Sequence, residues 1–155
     1  MEERKIIKEL NKILTLEHGH LGMYKNFLDY SDQELRRTFR RFAEIEIEHI
    51  NKVKSAVLNM GGKPSTIVEG GDIIGRLFGI TINLTNVQEV VKTYSWVEKK
   101  SHQGYADFVS KLEQSGGAMQ QFIAEIAAAN MLESRLMHLW LDDKLKSYGD
   151  HKPSQ

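Results

Sequence analysis

Four carboxylates and two histidines sit where a helical bundle would place apolar side chains. Taken every third or fourth residue, the chain gives a first stripe of Ile6, Leu10, Ile13, Glu17, His20, Tyr24 and Phe27. A second stripe is Leu35, Phe39, Phe42, Glu46, His49, Val53, Ala56 and Met60. The third is Val87, Val91, Tyr94, Glu98, Ser101, Tyr105, Phe108 and Leu112, and the fourth is Met119, Ile123, Ile126, Asn130, Glu133, Met137 and Trp140. Such 4-3-4-3 spacing marks the buried face of a bundle helix. A buried, unpaired carboxylate is costly, and four facing one another need a counter-charge. A pair of divalent metal ions would supply it.

Glu46 and His49 are three residues apart, so on a helix a carboxylate oxygen and an imidazole nitrogen reach one ion. The spacing by itself is weak, because such pairs arise by chance on exposed helices. Its place on an apolar stripe strengthens it. Glu48 lies off that stripe and is read as outward-facing. Height along the helices agrees as well. Glu17 lies 14 residues before a turn at residue 31 and Glu46 lies 15 after it. Glu98 lies 18 residues before a turn at residue 116 and Glu133 lies 17 after it. At about 1.5 Å per residue, the members of each pair stand level. Carboxylate-rich ligation without thiols suits iron or manganese better than structural zinc or copper.

His20 follows Glu17 on the same stripe. It is either a core histidine bonded to a carboxylate or a ligand. His102, four residues after Glu98, is a weaker candidate. His18, His138, Glu113 and Glu125 lie off the stripes and are assigned to the surface. Tyr24, Tyr94 and Tyr105 read as core residues with hydrogen-bonded hydroxyls rather than redox participants. A metal-free bundle with a buried polar network is the bland reading of the whole pattern.

These residues must be carried by four long helices. The first is expected from about Glu2 to Tyr30. Ser31 with Glu34 resembles a capping box opening the second, which stops near Gly61-Gly62 with Pro64 beyond. Thr85 with Gln88 resembles a second capping box, opening the third helix, and Ser115-Gly116-Gly117 breaks it. The fourth runs to about Tyr148. Short turns make each successive pair antiparallel, and the segment 61–85 is long enough to travel along a bundle. Residues 1–148 are therefore expected to form a single all-α domain, an antiparallel four-helix bundle with one long crossover between helices two and three. Residues 149–155 are expected to be a flexible tail. The apolar piece Ile73, Ile74, Leu77, Phe78, Ile80, Ile82 and Leu84 reads as a lid packed on the bundle, with a dimer surface or membrane-interface segment as the alternative.

Composition narrows the function classes. Lysine plus arginine equals aspartate plus glutamate, at 21 each, which argues against a nucleic-acid binder that relies on basic excess. Arg36, Arg37, Arg40 and Arg41 alternate around a helix and read as a solvated face. There is no cysteine, which removes disulfides, thiol nucleophiles, iron–sulfur clusters and thiolate zinc sites. The charged start is unlike a signal peptide, and no apolar run reaches a membrane span. A cytoplasmic location is expected.

Across nearly its whole length the chain resembles the ferritin-like di-iron carboxylate proteins, closest in style to rubrerythrin-type domains and the ubiquinone-pathway hydroxylases. Their plan is one Glu from each of two helices and a Glu-x-x-His from each of the other two. The resemblance makes Glu17 and Glu98 the lone glutamates and Glu46 with His49 one motif. The other motif falls on Asn130-x-x-Glu133, a departure from the pattern. Either Glu133 ligates in place of the histidine, with His20 or His102 supplying nitrogen from another helix, or one half-site is damaged. The resemblance implies metal ligation by Glu17, Glu46, His49, Glu98, Glu133 and His20. It also implies two iron ions, with manganese as an alternative, and an oxidoreductase reacting with oxygen or hydrogen peroxide. With no rubredoxin module the electrons must come from an external donor. A homodimer is expected. Iron storage in a cage and a non-catalytic binding module on an inherited bundle are the competing readings.

Overall fold

The computed structural model describes residues 1–27, 31–66, 74–75 and 86–149. Among the described residues four long helices carry the fold: α1 (Glu3–Lys25), α2 (Gln33–Asn59), α3 (Val87–Ser115) and α4 (Ala118–Gly149). Among the described residues there is no strand. None of the four helices contains a proline, so each i→i−4 ladder runs without the break a ring would impose. No described helix is long and apolar enough to cross a membrane.

The helix starts differ by one residue from the sequence expectation. The α2 cap is Asp32 rather than Ser31: its carboxylate accepts from Leu35 N at 2.9 Å. The α3 cap is Asn86, which accepts from Glu89 N at 3.2 Å; Thr85 lies outside the described residues. Aspartate and asparagine accept these orphan N–H bonds as well as serine or threonine does, so the Ser/Thr-x-x-Glu/Gln pattern points one residue too early. Helix α1 ends at Lys25, short of the expected Tyr30, and residues 28–30 lie outside the described set. At the far end of α2, Gly61 takes φ 73° while the Gly61 and Gly62 amides bond back to Leu58 O and Val57 O, both at 2.9 Å. A side chain at Gly61 would resist that left-handed turn.

Helix α1 packs along α2 and α3 along α4; the two pairs meet through α1–α3 and α2–α4 contacts. Tyr105 reaches Glu17 while Tyr94 and Tyr24 pair with Met23 and Glu98, so α1 and α3 run antiparallel. His49 meets Glu133 while Asp32 meets Lys144, so α2 and α4 do too. Consequently α2 and α3 point the same way. The end of α2 lies beside the start of α1, where Asn11 bonds Lys63 O and Ser65 N. The start of α3 lies at the other end of the bundle, packed with Met23 and Phe27. The two helix ends joined by the segment 61–85 therefore lie at opposite ends of the bundle, as the expected long crossover requires. Of its apolar piece, Ile74 is buried in the core; the rest of the lid call, like the tail at 150–155, lies outside the described residues.

The core comes in two apolar parts. One gathers Ile6, Leu10, Leu14, Val53, Val57, Phe108, Leu112 and Ile123. The other is aromatic, with Tyr24, Phe27, Phe39, Phe42 and Tyr94 beside Val90, Val91, Met137 and Leu141. Phe27 meets Phe39 edge-on at 4.8 Å between centroids, and Tyr24 meets Tyr94 at right angles at 5.5 Å, geometries that suit the ring quadrupoles. Between the two parts, around Glu17, Glu46 and Glu98, lies a buried polar layer.

Candidate metal centre

Helices α1 and α2 each carry a Glu-x-x-His pair into this layer, Glu17 with His20 and Glu46 with His49. All four residues are at most 1% exposed. Helix α3 adds Glu98, which is fully buried. The donor atoms group into two triads, Glu17–Glu46–His49 and His20–Glu46–Glu98, each with its atoms within 4.8 Å of one another. Donors at about 2.1 Å around a single ion lie roughly 3–4 Å apart, so small adjustments would close either triad on a cation. Glu46 belongs to both. Its Oε1 is 3.7 Å from His20 Nδ1 and its Oε2 is 3.5 Å from His49 Nδ1.

The hydrogen bonds leave the inward atoms open. Tyr24 donates to Glu98 Oε1 at 2.5 Å, and Tyr105 donates to Glu17 Oε1. The other oxygens, Glu17 Oε2 and Glu98 Oε2, have no hydrogen-bond partner among the described residues, nor do both Glu46 oxygens, both His20 nitrogens and His49 Nδ1. Buried polar atoms are almost always satisfied. These seven atoms, all on the five residues that form the two triads and all able to accept, fit cations.

Electrostatics make the same point. Burial pushes Glu46 well above its ordinary value, and the neighbouring Glu17 and Glu98 charges push it further. Burial likewise raises Glu98, outweighing His20 and the Tyr24 bond. Burial would raise Glu17 too, but the neighbouring Glu46, His20 and His49 side chains hold it well below the usual carboxylate range. Both histidines are raised: burial opposes their charge, and Glu17, with Glu98 at His20 and Glu133 at His49, overcomes it. Without a metal the layer thus retains protons that a cation would displace. Tyr24 and Tyr105 are pushed well up by burial and by the carboxylates beside them, so both stay protonated donors.

Helix α4 departs from the sequence reading. Its buried face runs Ile123, Ala127, Asn130, Ser134, Met137, Leu141, so after Asn130 the inward position is Ser134 rather than Glu133. Met119, Ile126 and Trp140 are correspondingly less buried than expected. An alanine-rich helix, apolar on several sides, leaves its register ambiguous. Asn130 donates to Tyr105 Oη at 3.1 Å, and Ser134 faces Ser101 at 3.4 Å. Glu133 stands on the shoulder towards α2, where Oε2 meets His49 Nε2 at 2.9 Å. Neither triad includes it.

The structure thus brings together five of the six sequence candidates, Glu17, His20, Glu46, His49 and Glu98, and places Glu133 beside them. Nor does either triad include His102. Glu48, Glu113 and Glu125 are exposed as read. His138 is not a plain surface residue: its Nδ1 lies 2.9 Å from Ser95 O and 3.0 Å from Ser95 Oγ, tying α4 to α3. Missed at the sequence level was that Glu17 and His20 repeat the spacing of Glu46 and His49.

No family model and no curated protein matches this chain. The donor set itself carries the functional argument.

Proposed function

We propose that the chain is a ferritin-like dinuclear metalloprotein that holds two iron ions, or iron with manganese, and acts as an oxidoreductase on oxygen or hydrogen peroxide using an external electron donor. The observation that carries the reading is the sharing of Glu46 between two buried triads, each offering two carboxylates and one imidazole. Such a donor set favours iron or manganese over softer ions. When bound, these ions would supply the electron-transfer steps that reduce oxygen or peroxide.

The chain's own residues do the rest. Tyr24 and Tyr105 each hold one oxygen of a carboxylate and leave the second facing inward. Glu133 holds His49 Nε2, which turns Nδ1 towards Glu17 and Glu46; such outer carboxylates fix the ring and raise its basicity. The apolar layers above and below keep bulk water away. The ligand plan differs from the usual family arrangement in having both Glu-x-x-His pairs on adjacent helices of one hairpin, and this chain's α4 contributes an amide and a hydroxyl.

The test is anaerobic loading with ferrous iron and elemental analysis, followed by absorbance and peroxide-consumption measurements. One ion per triad with oxidation on adding oxygen or peroxide is the expected result. Binding with no oxidation by either would leave a binding module, and a very large particle size would favour storage. No uptake of iron, manganese or zinc would overturn the reading in favour of a metal-free polar network.

A further inference from the structure

Among the described residues, the cluster's hydrogen bonds run to three groups beyond its own five residues. Tyr24 and Tyr105 are buried, at 4% and 3% exposure. Glu133 has a side chain that is 32% exposed, and it touches His49 directly. Among the described residues it is the carboxylate that meets both solvent and the buried layer. Its second oxygen, Oε1, is 3.8 Å from Lys52 Nζ, whose side chain is 39% exposed. Lys52 stands one turn beyond His49 on α2.

Resting on the metal-centre reading above, we propose that Glu133 is the entry port of that centre. A divalent cation arriving from solvent is first held by the Glu133 carboxylate where α4 faces α2. It is then passed to the Glu17–Glu46–His49 triad. Lys52 guards the port by competing for the same carboxylate and repelling the cation.

Placement explains why a port is needed here and why it works. Glu17, His20, Glu46, His49 and Glu98 are all sealed at 1% exposure or less, so an ion cannot reach them without a group that spans the wall. Glu133 spans it, with Oε2 at 2.9 Å from His49 Nε2. Just inside, His49 Nδ1 lies 3.6 Å from Glu17 Oε2 and 3.5 Å from Glu46 Oε2. All three inner atoms lack a hydrogen-bond partner among the described residues. An arriving cation therefore has the His49–Glu133 bond to displace and the edge of the His49 ring to pass, since the open donors gather at Nδ1 and the bond is made at Nε2. A partly exposed negative group raises local cation concentration, and a lysine beside it lowers that gain.

The experiment is stopped-flow uptake of cobalt(II), whose visible absorption reports ligation, with equilibrium metal content measured in parallel. Glu133→Gln keeps the shape and removes the charge. It is expected to slow uptake about tenfold and, because His49 loses its outer carboxylate, to weaken the ion held with His49 about tenfold. Content at saturating metal should stay at one ion per triad, and Glu133→Asp should restore much of the rate. Lys52→Gln should load faster than the parent. Glu48→Gln, at an exposed position away from the layer, should load at the parent rate. An unchanged rate in Glu133→Gln, or slower loading in Lys52→Gln, would overturn the port. So would loss of one ion at saturation, which would make Glu133 a ligand. If the parent protein takes up no divalent ion, the metal-centre reading itself fails, a result separate from any change of rate.

Discussion

Glu46 Oε2 lies 3.5 Å from Nδ1 of His49, one turn further along α2, and neither atom has a hydrogen-bond partner among the described residues. The other Glu46 oxygen stands in the same relation to His20 at 3.7 Å. A carboxylate shared in this way is needed by both triads. Glu46→Ala should therefore abolish most metal uptake, whereas Glu48→Ala, two residues on and exposed, should leave it intact. Elemental analysis after loading decides it. Equal loss in both variants would mean that the register of α2 is misread.

Glu17 and Glu98 belong to one triad each. Glu17→Gln should cost the ion held with His49, and Glu98→Gln the ion held with His20. Each variant should retain roughly half the parent content, since a two-site plan divides that way. A complete loss in either would show that the two positions fill only together.

The architecture was legible in the sequence because three of the four helices are cleanly amphipathic. Leu35, Phe39, Phe42, Val53 and Ala56 lie on the predicted face of α2 and are buried, and their periodicity brings Glu46 and His49 with them. Helix α4 was less legible. Alanines at 124, 127, 128 and 129 with Leu132, Leu136 and Leu139 leave apolar residues around much of its circumference, so periodicity fits more than one register. That ambiguity moved Glu133 into the core on paper and left Ser134 out. It also obscured the simpler fact that α1 already carries the second Glu-x-x-His pair. The tyrosine bonds to Glu17 and Glu98 cross between helices more than 70 residues apart in sequence, and no local pattern encodes such a pairing.

Metal-free protein should lose stability as pH rises. His20 and His49 are raised above their ordinary 6.5 in the fold, and Glu46 and Glu98 above 4.5. Each binds its proton more tightly folded than unfolded. The stability each contributes is complete below its ordinary value and lost as pH climbs through the raised one. Glu17 is shifted the other way, so its contribution is present above 4.5 and is lost only at lower pH. Thermal melts of chelated protein between about pH 5 and pH 8 should give a falling Tm, and divalent metal should flatten the slope by replacing the protons. A Tm that rises across this window without metal would contradict these assignments.

At the start of α2, Asp32 accepts from Leu35 N and also meets Lys144 Nζ at 2.9 Å, joining the cap to the end of α4. Asp32→Ala should lower stability by about 1 kcal/mol through loss of the cap, and the partly exposed ion pair should add little to that. Metal content should be unchanged, because Asp32 lies about four turns from Glu46. Urea denaturation with parallel metal analysis checks both.

Asn130 donates to the Tyr105 hydroxyl at 3.1 Å, and that hydroxyl donates to Glu17. Through this chain α4 sets the pose of an α1 carboxylate without touching it. Tyr105→Phe would leave Glu17 Oε1 and the Asn130 amide buried without their partner, which should cost about 1–3 kcal/mol for each group stranded. Asn130→Ala should cost stability by the same route, yet Tyr105 could still donate to Glu17. The two variants should therefore separate in metal affinity. Tyr105→Phe should weaken the ion held by Glu17, while Asn130→Ala should change affinity much less. Competition titration with a chromogenic chelator, alongside urea melts, measures both quantities. Equal affinity losses in the two variants would mean that Asn130, whose Oδ1 is itself buried without a partner among the described residues, acts on the centre directly rather than through Tyr105.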